Sequence, residues 1–335
     1  MILYDYQNKV LFNQPNMKPY IRKTGDMVNG DVWELDFNAV NKNHITTFTG
    51  YLNGASMGKI AIGKHPNYSY GTYFEVDGTY LYVRNLSASD QEGTKHEHGL
   101  TFTDVFQFIY SVDSYCKATV QVLANGAEFK LEDVGHTTLG TNMFVEVAGM
   151  TLTNCTYVWT CKDLTAPIWI FGDSWIPTTT PERWPYYAVQ AGFGDNFLVD
   201  GYGGEYSTWS IQAFRSLLTH GNPKFVLWCL GMNSNSDWEP NFHEVIATCK
   251  KRGITPVFTT IPNAVSYSYA TEKNQLIYDS GCRYIDFAKV CGAEGTDREW
   301  FTGMGTDDGV HPTEAGARAL WAQVLADFPE IVTGY

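Results

Sequence analysis

The sequence predicts a chain in two parts: an all-β sandwich of jelly-roll or lectin-like kind over residues 1–163, then an α/β domain with a parallel sheet over residues 164–335. Three observations carry that reading. From Trp33 to about Cys161 the chain is a series of short alternating runs separated by turn signals, and no helical period lasts a dozen residues between Met27 and Lys162. After Lys162 the rhythm changes to strand, loop and helix, the pattern of a parallel sheet with crossover helices. The run Ile168-Trp169-Ile170-Phe171, introduced by Pro167, is apolar without interruption, which suits a strand covered on both faces.

In the first part, Trp33-Glu-Leu-Asp-Phe37 alternates, and Tyr73-Phe-Glu-Val-Asp-Gly-Thr-Tyr-Leu-Tyr-Val83 reads as two strands joined at Asp77-Gly78. Runs at 106–110 and 118–123 follow. The second turns through Asn125-Gly126 into 128–131, and a two-residue Asn-Gly loop is the strongest short hairpin signal. Strands at 144–147 and 157–159 complete the series. The residues before Trp33, with Pro15 and Pro19, read as an extended arm. His96-Glu97-His98 has two imidazoles but no third ligand nearby in sequence, so it reads as a solvated loop and no metal site is assigned.

In the second part, strands are expected at 168–171, 196–199, 224–230, 255–259 and 283–287. Helices are expected at 185–191, 208–218, 241–251, 271–280 and 312–328.

A chain of 335 residues with 44% hydrophobic and 18% charged residues is long and apolar enough for two cores. The net charge of −13, from 23 Lys and Arg against 36 Asp and Glu, argues against nucleic acid or an anionic membrane as partner. No apolar run approaches the roughly 20 residues that span a bilayer, so a soluble chain is expected. The opening Met1-Ile-Leu-Tyr-Asp-Tyr lacks a basic segment followed by an apolar one, so no signal peptide is read. The mature form of a secreted bacterial protein would look the same, and compartment and oligomeric state stay open. Seven cysteines leave at least one thiol free in the monomer. Cys229 lies in an apolar run and is expected in the core, while Cys155/Cys161 and Cys282/Cys291 are close enough in sequence to pair locally, which spacing does not decide.

The strand ends of the second part carry polar residues. Gly172-Asp173-Ser174 closes the first strand, Asp200-Gly-Tyr-Gly-Gly-Glu205 follows the second, Gly231-Met-Asn233 the third, and Asp307-Asp-Gly-Val-His311 precedes the last helix. Ligands of open α/β sheets bind outside the carboxyl ends of the strands, where such residues would be presented. The set resembles the SGNH, or GDSL-like, hydrolase superfamily, whose blocks carry Ser, Gly, Asn and His in this order, and the match covers residues 167–328. The resemblance implies a three-layer α/β/α domain that hydrolyses acyl bonds without a cofactor.

Chemistry gives each type a reason. A serine hydroxyl such as that of Ser174 needs a base, and His311 fits that role. A carboxylate on the other ring nitrogen fixes the tautomer; the family's Asp-x-x-His spacing selects Asp308 over Asp307. The resemblance assigns the oxyanion donors to the backbone N–H groups of Ser174 and Gly204, with Gly203 as second choice, and to the amide of Asn233. Asp173 is expected to tie the turn. Ser234 follows Asn233 where the family commonly has Asp, so the loop 234–239 is expected to diverge.

Trp175, Tyr202, Trp209, Met232, Trp238, Trp300 and Phe301 lie near these blocks, and Trp175, Trp238 and Trp300 are taken as substrate-binding. A β-sandwich beside such a domain resembles bacterial carbohydrate esterases that remove acetyl groups from plant polysaccharides. The expected protein is therefore a serine esterase acting on O-acetyl groups of carbohydrate. The alternatives are a small-ester or lysophospholipid-type acylhydrolase, or a glycan-binding adhesin or phage protein whose hydrolase half is vestigial.

Overall fold

The computed structural model describes residues 2–4, 10–13, 21–35, 42–64, 72–85, 93–115, 117–132, 134, 143–201, 203–233, 236–262, 270–292 and 300–335. Of the residues singled out above, Pro15, Pro19, Phe37, Tyr202 and Ser234 lie outside them, as does the cysteine at 116. Backbone proximity divides the chain into two compact units, Met1–Lys162 and Asp163–Tyr335.

The first unit contains two six-stranded antiparallel sheets. One runs, in spatial order, 127–132, 118–124, 105–112, 44–51, 152–161 and 21–27; the other 32–35, 143–148, 59–64, 72–76, 80–85 and 94–97. Alternation sends Phe48, Phe108 and Tyr110 to one face of the first sheet and Trp33 and Phe74 to the opposing face of the second. Phe74 meets Phe108 at 5.6 Å and Tyr110 at 5.4 Å between ring centres, and Trp33 meets Phe48 at 6.2 Å. These cross-sheet contacts make the unit a sandwich. The hairpin at Asn125-Gly126 has φ of 48° and 85°, the left-handed pair that a two-residue loop between twisted strands requires.

Two expectations are corrected here. Within the segment read as an extended arm, Ile21–Met27 instead forms an edge strand paired with Leu152–Cys161. His96 lies on the strand Thr94–Glu97, and His98 is buried rather than solvated. The Nδ1 atom of His98 accepts the Leu100 N–H at 3.1 Å, which leaves Nε2–H to donate to the Asp77 carbonyl at 3.0 Å. The ring thus fastens the strand end to the Asp77 turn. Among the described residues no cluster of three His, Cys, Asp or Glu is placed to hold a metal ion.

The second unit has one parallel sheet of β1 (Ile168–Gly172), β2 (Phe197–Gly201), β3 (Phe225–Cys229), β4 (Thr255–Thr259) and β5 (Arg283–Ile285), in the order β2-β1-β3-β4-β5. Its helices are α1 (Trp184–Gln190), α2 (Ser207–Leu217), α3 (Trp238–Arg252), α4 (Ala270–Asp279), α5 (Phe287–Cys291), α6 (Glu314–Asp327) and α7 (Glu330–Thr333). Helices α1, α5 and α6 pack as one layer and α2 with α3 as another. On the first side Ile168 and Ile170 share a core with Trp184, Leu320 and Val324; on the second, Phe171 packs on Phe214 at 5.5 Å and on Trp228 at 5.9 Å. This is a three-layer α/β/α arrangement, and it explains why every residue of β1 is buried.

The strand expected at 283–287 stops at Ile285. The Asp286 side chain accepts the Lys289 N–H and starts helix α5 at Phe287, so an apolar residue there serves a helix. The cysteines at 155, 161, 229, 249, 282 and 291 are free thiols, with Cys229 in the core. Among the described residues no helix is long and apolar enough to cross a membrane.

Strand order locates the site. The chain leaves β1 for β2 on one side and returns to β3 on the other, so the loops after β1 diverge and open a crevice at its carboxyl end.

Candidate active site at the carboxyl ends of the parallel strands

Strand β1 ends against its neighbour at two glycines. A Cβ on Gly201 would collide with the Gly172 carbonyl, so bare backbone at Gly201 lets β2 run beside the turn. In that turn Asp173 Oδ1 accepts the Trp175 N–H at 3.2 Å and the Asp173 carbonyl accepts the Ile176 N–H at 3.3 Å, which leaves the half-buried Ser174 at the apex. Asp173 thus ties the turn through its side chain. It is 1% exposed, and burial pushes its carboxyl up to about 7 against the opposing pull of Arg183 and Lys273.

The loop before α6 brings His311 to Ser174, with Nε2 2.8 Å from Oγ. Asp308 shapes that loop. Its Oδ1 accepts the N–H groups of Val310 and His311 at 2.7 and 2.9 Å and the Thr306 hydroxyl at 2.6 Å, while Oδ2 stands 2.6 Å from His311 Nδ1. A carboxylate only accepts, so Nδ1 carries the proton and Nε2 is left to accept from Ser174. Partial burial raises the Asp308 carboxyl, but the hydrogen bonds from His311, Thr306 and the loop backbone outweigh it and hold the group well below the usual carboxylate range. Asp307 is exposed and is not the partner of His311. Two supports were not anticipated from sequence. Thr306 also donates to the His311 carbonyl, and Trp300 Nε1 donates to the Gly309 carbonyl at 2.9 Å.

The third junction turns at Gly231, whose φ of 142° and contact with Ile261 exclude a side chain. Trp238 Nε1 donates to the Leu230 carbonyl at 2.9 Å, and Lys273 Nζ donates to the Gly231 carbonyl at 2.6 Å. Asn233 follows, half-buried, and its Nδ2 donates to the Glu205 carbonyl at 3.2 Å. That bond uses one of two amide hydrogens. The second junction carries Gly204 at φ 77°, a left-handed position, while Gly203 has no positive φ. Just beyond it Glu205 is buried and accepts the Ser210 hydroxyl at 2.7 Å. Asp200, at the end of β2, is also buried; burial first and then the nearby Glu205 raise its carboxyl well above the ordinary range.

Beyond Asn233, Asp237 reaches to the start of α2. Its Oδ2 accepts from the Ser207 hydroxyl at 3.0 Å and the Thr208 N–H at 3.2 Å, and also from the Thr208 hydroxyl. It therefore caps α2 from another segment, a role that Tyr206 at the N-cap cannot fill.

Of the tryptophans taken as substrate-binding, Trp238 is corrected to a core residue. It is 1% exposed and stacks on Phe242 at 4.9 Å. Trp175, 5% exposed, lies against Trp300 at 5.2 Å and presents almost no surface; Trp300 is half-buried. Met232 is buried as well. Among the described aromatic residues adjoining these junctions in sequence, Tyr206 and Trp209, 43% and 41% exposed and edge to face at 5.4 Å, reach solvent, as does Phe301.

Fold and site together define an α/β domain with a Ser–His–Asp relay at the topological switch point of its sheet. No protein-family profile matches the chain, and no curated protein matches it by sequence. Among solved structures, it is similar to a Bacteroides fragilis protein regarded as an acylhydrolase, with 16% identity over 51% of this chain and 92% of that one and a TM-score of 0.41. It is similar to a GDSL-like lipase from Bacteroides thetaiotaomicron, with 17% identity over 48% and 85% and a TM-score of 0.39. A galectin from Caenorhabditis elegans is similar at 11% identity over 40% and 94%, with a TM-score of 0.29.

Proposed function

We propose that this protein is a serine ester hydrolase of the SGNH type, and that its substrates are O-acetyl esters of carbohydrate. The observation that carries the reaction class is the continuous relay Asp308–His311–Ser174. In this mechanism Ser174 Oγ attacks the ester carbonyl carbon while His311 Nε2 takes its proton, and Asp308 stabilises the imidazolium. The carbonyl electrons move onto oxygen, where the N–H groups of Ser174 and Gly204 and the second amide hydrogen of Asn233 receive the charge. Collapse breaks the C–O bond to the alcohol, which leaves with the proton from His311. Water, deprotonated by His311, then releases the acyl group by the same steps.

The sugar reading is supported by the exposed aromatics. Tyr206 follows Glu205, whose carbonyl holds Asn233, and Phe301 follows Trp300, which braces the His311 loop. Exposed rings at a site edge suit the apolar face of a sugar. No cofactor is required by this chemistry.

The test is release of p-nitrophenol from acetate, butyrate and octanoate esters, and of acetate from acetylated xylan, by the wild type and by Ser174→Ala. Hydrolysis that needs Ser174 and favours acetate is expected. A preference for octanoate would point to the longer-chain acylhydrolase, and no Ser174-dependent release from any ester would leave a glycan-binding protein with a vestigial site.

A further inference from the structure

Lys273 is not part of the relay, yet it occupies a costly position. It lies in helix α4, 5% exposed, with Nζ 2.6 Å from the Gly231 carbonyl. Burying an ammonium is unfavourable unless charge and hydrogen bonding offset the lost hydration. Burial pushes this amine down to about 8, against the opposing influence of Asp237, Asp173 and Glu272.

The carbonyl it holds is the last but one before Asn233. The Leu230 carbonyl is taken by Trp238 and the Gly231 carbonyl by Lys273, so buried donors fix both peptide planes leading into the turn. At Gly231 the chain has φ 142° and no side chain to lock it, so these donors set its direction. On the far side the Asn233 amide is held by the Glu205 carbonyl, which fixes where its remaining hydrogen points.

We propose that Lys273 is a positioning residue of this site: by anchoring the Gly231 carbonyl it aims the Asn233 amide at the oxyanion. The inference rests on the ester-hydrolase reading. It differs from a purely structural role, in which loss of Lys273 lowers the melting temperature but leaves the turnover of the folded protein intact.

The experiment is a double-mutant cycle of Lys273→Met and Asn233→Ala, read as kcat and KM on p-nitrophenyl acetate, with the folded fraction measured for each variant. Lys273→Met is expected to lower kcat roughly 10- to 100-fold, less than or equal to the roughly 10²–10³-fold typical of losing an oxyanion donor, with KM within about twofold of wild type. On the Asn233→Ala background the same change is expected to cost less than about threefold, because both act through one amide. An unchanged kcat in folded Lys273→Met, or a full additive loss in the double variant, overturns the proposal. If Lys273→Met does not fold, Lys273→Leu, which likewise removes the donor, is read in the same cycle with the same criteria. Absence of Ser174-dependent hydrolysis by the wild type would instead sink the esterase reading itself.

Discussion

Asp308 meets His311 at two points, with Oδ1 on its backbone N–H at 2.9 Å and Oδ2 on Nδ1 at 2.6 Å. One carboxylate thus fixes both where the histidine sits and which ring nitrogen is free. Replacing it by Asn keeps the size but can present N–H to Nδ1 and reverse the tautomer. Asp308→Asn should lower kcat on p-nitrophenyl acetate by roughly 10²–10⁴-fold with little change in KM. Equal kcat in variant and wild type would show that Asp308 only shapes the loop.

Asn233 offers one amide hydrogen to the Glu205 carbonyl, and in the proposed mechanism the other donates to the oxyanion. Asn233→Ala should cost roughly 10²–10³-fold in kcat, while a phosphonate mimic of the tetrahedral intermediate should lose affinity by a similar factor. Weakened substrate binding with unchanged kcat would contradict this.

Gly201 faces the Gly172 carbonyl across β1 and β2, with no room for a methyl group. Gly201→Ala must push the strands apart beside the Ser174 turn. Overpacking of this kind costs about 1–3 kcal/mol, so urea unfolding should shift to lower denaturant, and Ser174-dependent activity should fall with it. A variant as stable and active as wild type would mean that the strand ends yield freely.

Asp173 titrates near 7 when folded because it is buried, against roughly 3.9 in an unfolded chain. Between these values the folded state binds the proton and the unfolded state does not, so stability falls as pH rises from about 4 to 7 and stays reduced above. Asp173→Asn keeps an oxygen for the Trp175 N–H and removes the titration. Its gain in melting temperature over wild type should be larger at pH 8 than at pH 4, from a penalty on the order of 1.4 kcal/mol per pH unit of that window. A gain that does not change with pH would refute it.

Much of the fold was legible because it is written in local period. Alternation marked the sandwich strands, the Asn125-Gly126 turn marked its hairpin, and an unbroken apolar run marked β1 as covered on both faces. Errors came where local pattern is ambiguous. Phe287 looks the same at the end of a strand or the start of a helix, and a hydrogen bond from the Lys289 N–H to the Asp286 side chain decides between them. Residues 21–27 carry a paired strand despite polar composition, because the edge position needs hydrogen bonds more than apolar side chains.

By itself, the sequence determined the order of the chemical residues along the chain and their place at strand ends, since both follow from residue type and period. Only the tertiary structure decided which of them meet. Ser174 and His311 are 137 positions apart and touch because β1 and the loop before α6 end on the same side of the sheet. Likewise Trp238 became core, and Asp173, Asp200 and Lys273 became buried polar groups. Burial is set by what distant segments pack above a residue, and no local pattern records that.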